Sequence, residues 1–444
     1  MNLILLGVGL RAWQGPPLRA VSSILVAVAT LTLEMQAVTW FGIGSLRQLV
    51  FINAGLAAAG LVWLRVHWGV EDRYPTREVP WAAFYALGLL ALILNVSRPL
   101  EGADPYHLQR VSQIERLGTL AYDPQAEIKV NVLATVYELV LADLDQVPRF
   151  DTLLMFHGVL GLLLYALAVA ATRQWLGGGP SWCWNAVFAV PVVFHQLVLV
   201  KNDLFGAIPG LLVLAWLVVR APDAPRTEVA WASSLAGFAI AIKMSSFPLA
   251  ILVIGAVWLR RDRWGVAPWM IAGGLAGAIA GALPFNLVQT AETYGHPWEP
   301  LAALGNRNES IAAATTSVAR FGISLFDLGL LTRRWWPGRG GWGATFGAPF
   351  IWALVVLCVR AAQEPYARRA LLISAVYFVA FAAVYPDADL AHRIALAPGL
   401  IVIATAVHVS DGDSPRSVWL RRGLAVALAI SIAQIARSFA IYLT

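Results

Sequence analysis

The sequence predicts an all-α, polytopic membrane protein with about 13 transmembrane helices, and both composition and patterning indicate this class. Of the 444 residues, 59% are hydrophobic and only 13% are charged, and the mean hydropathy is +0.68. The apolar residues are grouped in blocks, and a helix needs about 20 mostly apolar residues to cross a bilayer. The blocks of near-spanning length are therefore the predicted transmembrane helices.

The predicted spans follow one another along the whole chain. They comprise residues 20–42, 47–65, 79–97, 151–171, 182–199, 204–220, 229–243, 246–260, 266–287, 347–361, 369–385, 394–409 and 419–440. Because these spans and their loops account for the chain, we expect a single membrane domain over residues 1–444, without a soluble domain.

The distribution of arginine predicts the orientation of the chain. Basic residues of short loops stay on the cytoplasmic side of a membrane. With the N-terminus inside, seventeen arginines fall on that side: Arg11, Arg19, Arg65, Arg73, Arg77, Arg173, Arg220, Arg226, Arg260, Arg261, Arg263, Arg360, Arg368, Arg369, Arg416, Arg421 and Arg422. The two long loops, residues 98–150 and 288–346, then face outward.

Residues 128–144 form an apolar stretch that is almost long enough to cross. Lys129, Glu138 and Asp143 interrupt it, and counting it as a span would invert every later loop. We therefore expect juxtamembrane helices in the first outer loop, with this segment lying in the membrane interface.

The net charge of +6 does not indicate a nucleic-acid-binding protein. It reflects the cytoplasmic arginines, and no basic run with interleaved aromatic residues is present. We therefore expect contacts with membrane lipids and no binding of nucleic acid.

The first outer loop carries the most informative polar group. Asp104, His107 and Arg110 are three residues apart, so a helix with Asp104 as its N-cap would project them toward roughly one side. Two simpler interpretations remain open. Asp104 before Pro105 is a common capping pair, and His107 and Arg110 could face solvent on an amphipathic helix.

Further turns bring ionisable residues to the same predicted face. They are Lys201 and Asp203 after span five, Lys243 at the end of span seven, His296 after span nine, and Asp387, Asp389, His392 and Arg393 before span twelve. Lys201 could instead snorkel, and Asp203 could cap a helix. Lys243 lies among apolar residues, where a lysine needs a partner. The short cytoplasmic loops have no comparable cluster, so we expect an outward-facing active site.

The order of these motifs resembles a known superfamily. Asp104-Pro-Tyr106-His107-Leu108, then Lys201-Asn-Asp203, the helix end at Lys243, and Tyr294-Gly-His296-Pro-Trp-Glu are similar to polytopic bacterial glycosyltransferases of the GT-C superfamily, in its branch with an Asp-x-x-Tyr-His-Leu outer loop. This chain departs from that motif in having one residue, not two, between Asp104 and Tyr106. The resemblance covers residues 79–410. It leaves residues 1–78 as an N-terminal two-helix addition and residues 411–444 as a C-terminal span.

The resemblance implies a bacterial inner-membrane hexosyl- or pentosyltransferase. Its donor would be a polyprenyl-phosphate sugar, its acceptor a glycan, lipid or protein on the outer side, and its base an acidic residue of the first outer loop. The sequence does not identify the sugar or the acceptor.

The chemistry of such a transfer assigns roles to the predicted residues. It needs a general base for the acceptor hydroxyl and positive charge for the departing phosphate. Asp104 is the candidate base, and His107 would orient it or contact the phosphate. The candidate phosphate ligands are Arg110, Lys201, Lys243, His392 and Arg393, and further site candidates are Tyr106, Asp203, Asp387, Asp389 and His296.

A metal is a weaker expectation. Asp387 and Asp389 could share a divalent cation, Mg²⁺ or Mn²⁺, with phosphate and water. A solvated turn is the alternative, since His392 and Arg393 could supply positive charge without an ion.

Two other functional classes remain as alternatives. A transporter or flippase for a lipid-linked or anionic solute would place ion sites at broken helices near the midplane, in paired halves. A non-catalytic scaffold would need no convergent charges. The one-sided clustering of ionisable residues favours the enzyme.

Overall fold

The computed structural model describes residues 16–49, 81–97, 105–132, 135–145, 153–178, 181–198, 202–297, 311–325, 345–384, 395–411 and 414–443. Within these ranges the regular elements are all helices, in agreement with the predicted all-α class. Short 3₁₀ turns at Ser181–Trp184, Ala221–Asp223 and Met244–Ser246 connect some of them.

The first half of the chain contains both long helices and short ones. The helices are α1 (Pro16–Phe41), α2 (Trp81–Ser97), α3 (Pro105–Leu117), α4 (Ile128–Val132), α5 (Thr135–Asp145), α6 (Leu153–Leu176), α7 (Asn185–Phe188), α8 (Pro191–Val198) and α9 (Asp203–Val219).

The second half continues the bundle. Its helices are α10 (Arg226–Ile242), α11 (Pro248–Trp258), α12 (Arg263–Ala280), α13 (Leu283–Tyr294), α14 (Ile311–Ser324), α15 (Gly347–Arg360), α16 (Pro365–Val384), α17 (Leu396–Val409) and α18 (Pro415–Leu443).

Several of these helices are suited to cross a membrane. In the described residues, four are long and apolar enough, and the bent pair α12–α13 raises the number to five. The four are Ala20–Phe41, His157–Leu176, Pro365–Val384 and Pro415–Ala440. Shorter apolar helices occupy Ala82–Leu94, Asp203–Val219, Met244–Trp258, Gly347–Arg360 and Leu396–Val409. The predicted span 47–65 lies mostly outside the described residues, and the number of 13 stays a prediction.

Two predicted spans are broken helices. Residues 182–199 divide between α7 and α8, because Pro191 begins α8 and disfavours helical backbone at the residue before it. Residues 266–287 divide at a 56° bend between α12 and α13. At this bend Ala282 has a φ of 61°, a left-handed conformation that interrupts a helix.

The segment predicted to lie in the membrane interface is instead enclosed by other helices. Within this segment Ile128–Val132 form α4 and Thr135 begins α5, and residues 135–142 of α5 are all buried. Helix α5 packs against α1, α3, α6 and α10. The prediction of a surface helix was therefore wrong, although the segment is helical and too short to span.

Helix α9 lies at the centre of the bundle. Residues 203–218 are all buried, and α9 packs against α6, α10, α16 and α17. A helix that is apolar on every side is expected in such a position. Helix α9 is therefore the central helix, and its packing positions the ends of the neighbouring helices.

Helices α10 and α12 approach each other closely through glycines. A Cβ atom added to Gly277 would lie 1.9 Å from the carbonyl oxygen of Ser234, and one added to Gly273 would lie 2.1 Å from that of Ala230. Small residues at four-residue spacing allow such contact between apolar helices. This contact holds α12, and with it α13, against the bundle.

The two ends of the bundle differ in chemistry. The polar end is formed by α3, α5, the start of α6, the end of α8, the start of α9, the end of α10, and α13. At the opposite, arginine end, Arg260 donates to the carbonyl oxygens of Ala221 and Ala224, and Arg369 donates to that of Val218. Acids are present at the arginine end as well, where Glu228 pairs with Arg220 and Asp262 pairs with Arg260.

Candidate active site

The structure describes half of the predicted site residues. These are Tyr106, His107, Arg110, Asp203, Lys243 and His296. The remaining candidates, Asp104, Lys201, Asp387, Asp389, His392 and Arg393, lie outside the described residues, and their roles stay predictions.

Helix α3 begins at Pro105, as the sequence predicted, and its buried face carries two of the candidates. His107 is 5% exposed and Arg110 is 0% exposed. The alternative in which both side chains face solvent on a surface helix is therefore wrong. Tyr106 is half-buried in the same first turn.

A buried acid meets His107 across the interface between α3 and α5. His107 Nδ1 forms a close hydrogen bond with Glu138 Oε1, and Glu138 is completely buried. The second carboxylate oxygen, Oε2, has no hydrogen-bond partner among the described residues. Burying a carboxylate is costly unless a charge or hydrogen bond compensates it, so His107 and Glu138 depend on each other.

Tyr137, the neighbour of Glu138, connects this pair to the bundle. Its ring lies edge-on to His107 and to His157, with centroids 5.6 and 5.7 Å apart. Its hydroxyl lies 2.6 Å from His157 Nδ1, and His157 Nε2 lies 2.8 Å from the carbonyl oxygen of Gln196. Burial and the nearby Glu138 raise the pKa of Tyr137 well above its usual value, so the hydroxyl stays protonated.

A second buried pair joins α9 and α10. Asp203, 2% exposed in the first turn of α9, forms an ion pair with Lys243 at the end of α10. Asn202 precedes Asp203 as the N-cap residue, so Asp203 is not the cap. The partner that Lys243 required is therefore Asp203, and the lysine charge is balanced within the bundle.

Arg110 holds the loop that follows α3. Its guanidinium donates to Gln113 Oε1 and to the carbonyl oxygens of Leu120, at 2.8 Å, and Ala121, at 3.2 Å. It also lies 5.1 Å from the ring centre of Tyr122. Burial lowers the pKa of Arg110, while Tyr122 and Glu138 oppose this change. These contacts make Arg110 a structural clamp rather than an available phosphate ligand.

Amide side chains extend the polar end to α13. Gln113 donates to Asn131 Oδ1 at 2.9 Å, and the Asn131 amide donates to Tyr294 Oη at 2.7 Å. Thr135 Oγ1 donates to Asn286 Oδ1 at 2.8 Å. Buried amides of this kind need such partners. These hydrogen bonds thus connect the helices of the first outer loop, α3 to α5, with α13.

A cavity of about 380 Å³ opens on the other face of α3. It is lined by Leu108, Gln109, Ser112, Gln113, Arg116, Asp123, Ala126 and Val130. Arg116 pairs with Asp123 at this cavity. The pKa of Asp123 is lowered by a backbone hydrogen bond from Gln125 and by Arg116. The lining combines amide, hydroxyl and charged groups, which can hydrogen-bond a hydroxyl-rich ligand.

His296 is not joined to this arrangement by any described contact with His107 or Lys243. It follows the C-terminus of α13 and is exposed. In the described residues, no group of three or more His, Cys, Asp or Glu side chains is arranged to hold a metal ion. The predicted metal pair, Asp387 and Asp389, lies outside the described residues.

Sequence reasoning missed the partners that organise the site. Glu138 was noted only as a charge that interrupts an apolar run, although an acid in such a run already indicates a buried partner. His157 occurs in the first turns of an apolar span, which is a similar signal. Tyr137 and Asn131 have no comparable signal, since tyrosine and asparagine are common in helices near a membrane surface.

Comparison with known proteins adds no assignment. No family model matches the chain, and neither a curated protein nor a solved structure shows significant similarity to it.

Proposed function

We propose that this chain is a membrane glycosyltransferase of GT-C type that transfers a sugar from a polyprenyl-phosphate donor to an acceptor hydroxyl on the outer side of a bacterial inner membrane. The observation that carries the proposal is the buried His107–Glu138 pair at the polar end of an apolar bundle. In the sequence, His107 follows Asp104 by three residues. Ionisable groups buried in a membrane protein are costly and usually functional.

Asp104 is the proposed general base. It takes the proton of the acceptor hydroxyl while the acceptor oxygen bonds to the sugar carbon. The bond from that carbon to the phosphate oxygen breaks, and its electron pair leaves with the polyprenyl phosphate. Positive charge near the phosphate lowers the energy of this step.

The contacts of Arg110 and Lys243 change the proposed phosphate ligands. Arg110 is engaged by its own loop, and Lys243 is paired with Asp203. We therefore assign the phosphate to Lys201, His392 and Arg393. A divalent cation at Asp387 and Asp389 is a secondary proposal.

One structural feature favours the alternative of a transporter or flippase. The helix pair α12–α13 is bent by 56° near the polar end, and transporters commonly build their sites at broken helices. The bend has a structural role without a transport site, however, because it lets Asn286 and Tyr294 of α13 hydrogen-bond with Thr135 and Asn131 of the first outer loop.

The test is donor binding and turnover by the purified full-length protein. A panel of polyprenyl-phosphate sugars is offered to the wild type, to Asp104→Asn, and to Asp262→Asn as an acidic control at the arginine end. We expect all three to bind the same donor and Asp104→Asn to lose about 10²- to 10⁴-fold in turnover. Thermal unfolding verifies that both variants fold.

The other outcomes are equally informative. If the wild type binds no polyprenyl phosphate, the proposal is overturned, and solute uptake into proteoliposomes becomes the next assay. Turnover by Asp104→Asn equal to that of Asp262→Asn would remove Asp104 as the base. Turnover that is unchanged by a chelator would exclude the cation at Asp387 and Asp389.

A further inference from the structure

Two buried histidines lie on either side of the Tyr137 ring. His107 belongs to α3 and His157 to α6, and each ring is edge-on to the tyrosine. The two side chains are equally buried, at 5% exposure. Their hydrogen-bond partners differ, however, and those partners determine which nitrogen of each ring carries the proton.

The partners of His157 require a proton on Nε2. This nitrogen lies 2.8 Å from the carbonyl oxygen of Gln196, and a carbonyl oxygen can only accept a hydrogen bond. In the neutral ring Nδ1 is then the acceptor, and it accepts a hydrogen bond from the Tyr137 hydroxyl, whose oxygen lies 2.6 Å away. Both nitrogens are engaged, so His157 links α5, α6 and α8.

The partner of His107 requires the opposite arrangement. Nδ1 meets Glu138 Oε1, and an ionised carboxylate can only accept a hydrogen bond. Arg110 is one turn away on α3, and its positive charge interacts with the Glu138 carboxylate. The proton of a neutral His107 therefore lies on Nδ1, and the lone pair lies on Nε2.

The remaining nitrogen of His107 is available for proton transfer. Nε2 makes no hydrogen bond to any part of the chain that the structure describes. A carboxylate that accepts from Nδ1 also stabilises the imidazolium that forms when Nε2 takes up a proton. This is the arrangement by which a carboxylate makes a histidine a better base.

We propose that Glu138 is a positioning residue that holds His107 in the Nδ1–H tautomer, so that His107 Nε2 takes up the proton that the acceptor hydroxyl loses in the transfer. This proposal rests on the proposed function. Uptake of the proton leaves an imidazolium paired with Glu138, which later releases the proton to water. His157 has the opposite tautomer and only supports the structure.

The tautomers can be measured without substrate. The full-length protein contains seven histidines, and ¹⁵N labelling of the imidazoles allows NMR to distinguish a protonated from an unprotonated ring nitrogen. His107→Gln and His157→Gln assign the two signals. We expect Nδ1–H for His107 and Nε2–H for His157. An Nε2–H signal from His107 in the wild type would overturn the proposal, whatever the variants do.

Turnover then tests the role of Glu138. With a polyprenyl-phosphate sugar as donor, we expect Glu138→Gln to lower kcat about 10²-fold while KM stays within about twofold. The matched control is Tyr137→Phe, which removes the hydroxyl bound to His157 and keeps the ring. It should leave kcat within about twofold. Equal losses in both variants would mean that Glu138 acts only through the fold, and the positioning role would be wrong.

Failure of the proposed function has a different signature. A wild-type protein with the expected tautomers that neither binds nor consumes any donor would overturn the glycosyltransferase and, with it, the uptake of the acceptor proton by His107. The tautomer assignment would stand in that case, because it does not depend on substrate.

Discussion

The two ends of the bundle contain the same kinds of charged residue in different surroundings. At the polar end, Glu138 and Asp203 are almost completely buried and are paired with His107 and Lys243. At the arginine end, the pair of Arg260 and Asp262 reaches solvent, and the Asp262 side chain is 56% exposed.

The difference shows how burial changes the contribution of a charged pair to the stability of the fold. An exposed pair contributes roughly 0–1 kcal/mol, because water and salt screen it. A buried pair loses more when one partner is removed, because the other charge stays without compensation. The arginine end therefore tolerates changes in its exposed charges, whereas the polar end depends on each partner.

The largest expected effect is at Lys243. Lys243→Met removes the lysine that pairs with the buried Asp203, and we expect a loss of about 3–5 kcal/mol in the free energy of unfolding. Denaturant or thermal unfolding in detergent measures it. Asp262→Asn is the control at the arginine end, with an expected change of about 0–1 kcal/mol.

A double variant separates charge from packing at this pair. Asp203→Asn combined with Lys243→Met removes both charges, so we expect it to recover most of the stability that Lys243→Met loses. If the double variant were as unstable as the sum of the single ones, the two residues would act independently, and the contrast between the ends would lose its main support.

A smaller effect is expected where α12 packs against α10 on its way to the polar end. Gly277→Ala would place a Cβ atom 1.9 Å from a backbone oxygen, which cannot move without the helix. We expect a loss of about 1–3 kcal/mol and weaker protection of α13 in amide hydrogen exchange. The matched control is Gly274→Ala, whose Cβ would lie 4.0 Å from the carbonyl oxygen of Ser233, so its stability should be close to that of the wild type.

The smallest expected effect is a pH dependence within the polar end. Burial and a hydrogen bond with Asp145 raise the pKa of Glu115 from its usual 4.5 to about 7. Since the folded state holds this proton more tightly than the unfolded state, this carboxyl's contribution to stability is largest at low pH and falls as the pH rises from about 4.5 to 7.

Thermal unfolding as a function of pH tests this contribution. Glu115→Gln should remove part of the decline between pH 5 and 7. Asp262→Asn is again the control, because the hydrogen bond from Arg260 lowers the pKa of Asp262 and its titration lies below this range. Parallel curves for the wild type and Glu115→Gln would refute the assignment.

Part of the site could be predicted from the sequence because its signals are local. The spacing of His107 and Arg110 and the start of α3 at Pro105 depend on neighbouring residues, and α3 begins there as predicted. The need of Lys243 for a partner follows from its apolar surroundings. Its partner Asp203 was a site candidate, but sequence spacing does not show that the two meet.

Other features of the site could not be predicted, because they depend on contacts between residues that are distant in the sequence. Arg110 has the residue type of a phosphate ligand, yet its hydrogen bonds go to the carbonyl oxygens of Leu120 and Ala121. The interface prediction for residues 128–144 failed for a similar reason. An apolar helix with a few charges suits a membrane surface or a polar protein interior equally well.

The sequence by itself determined the helical class and the apolar helices that could span a membrane, because both depend on the local pattern of hydrophobic residues. Only the tertiary structure decided that Glu138 meets His107, that Asp203 meets Lys243, and that His107 and His157 have different partners. These pairs come from separate helices, and their contacts depend on how α3, α5, α6, α9 and α10 pack.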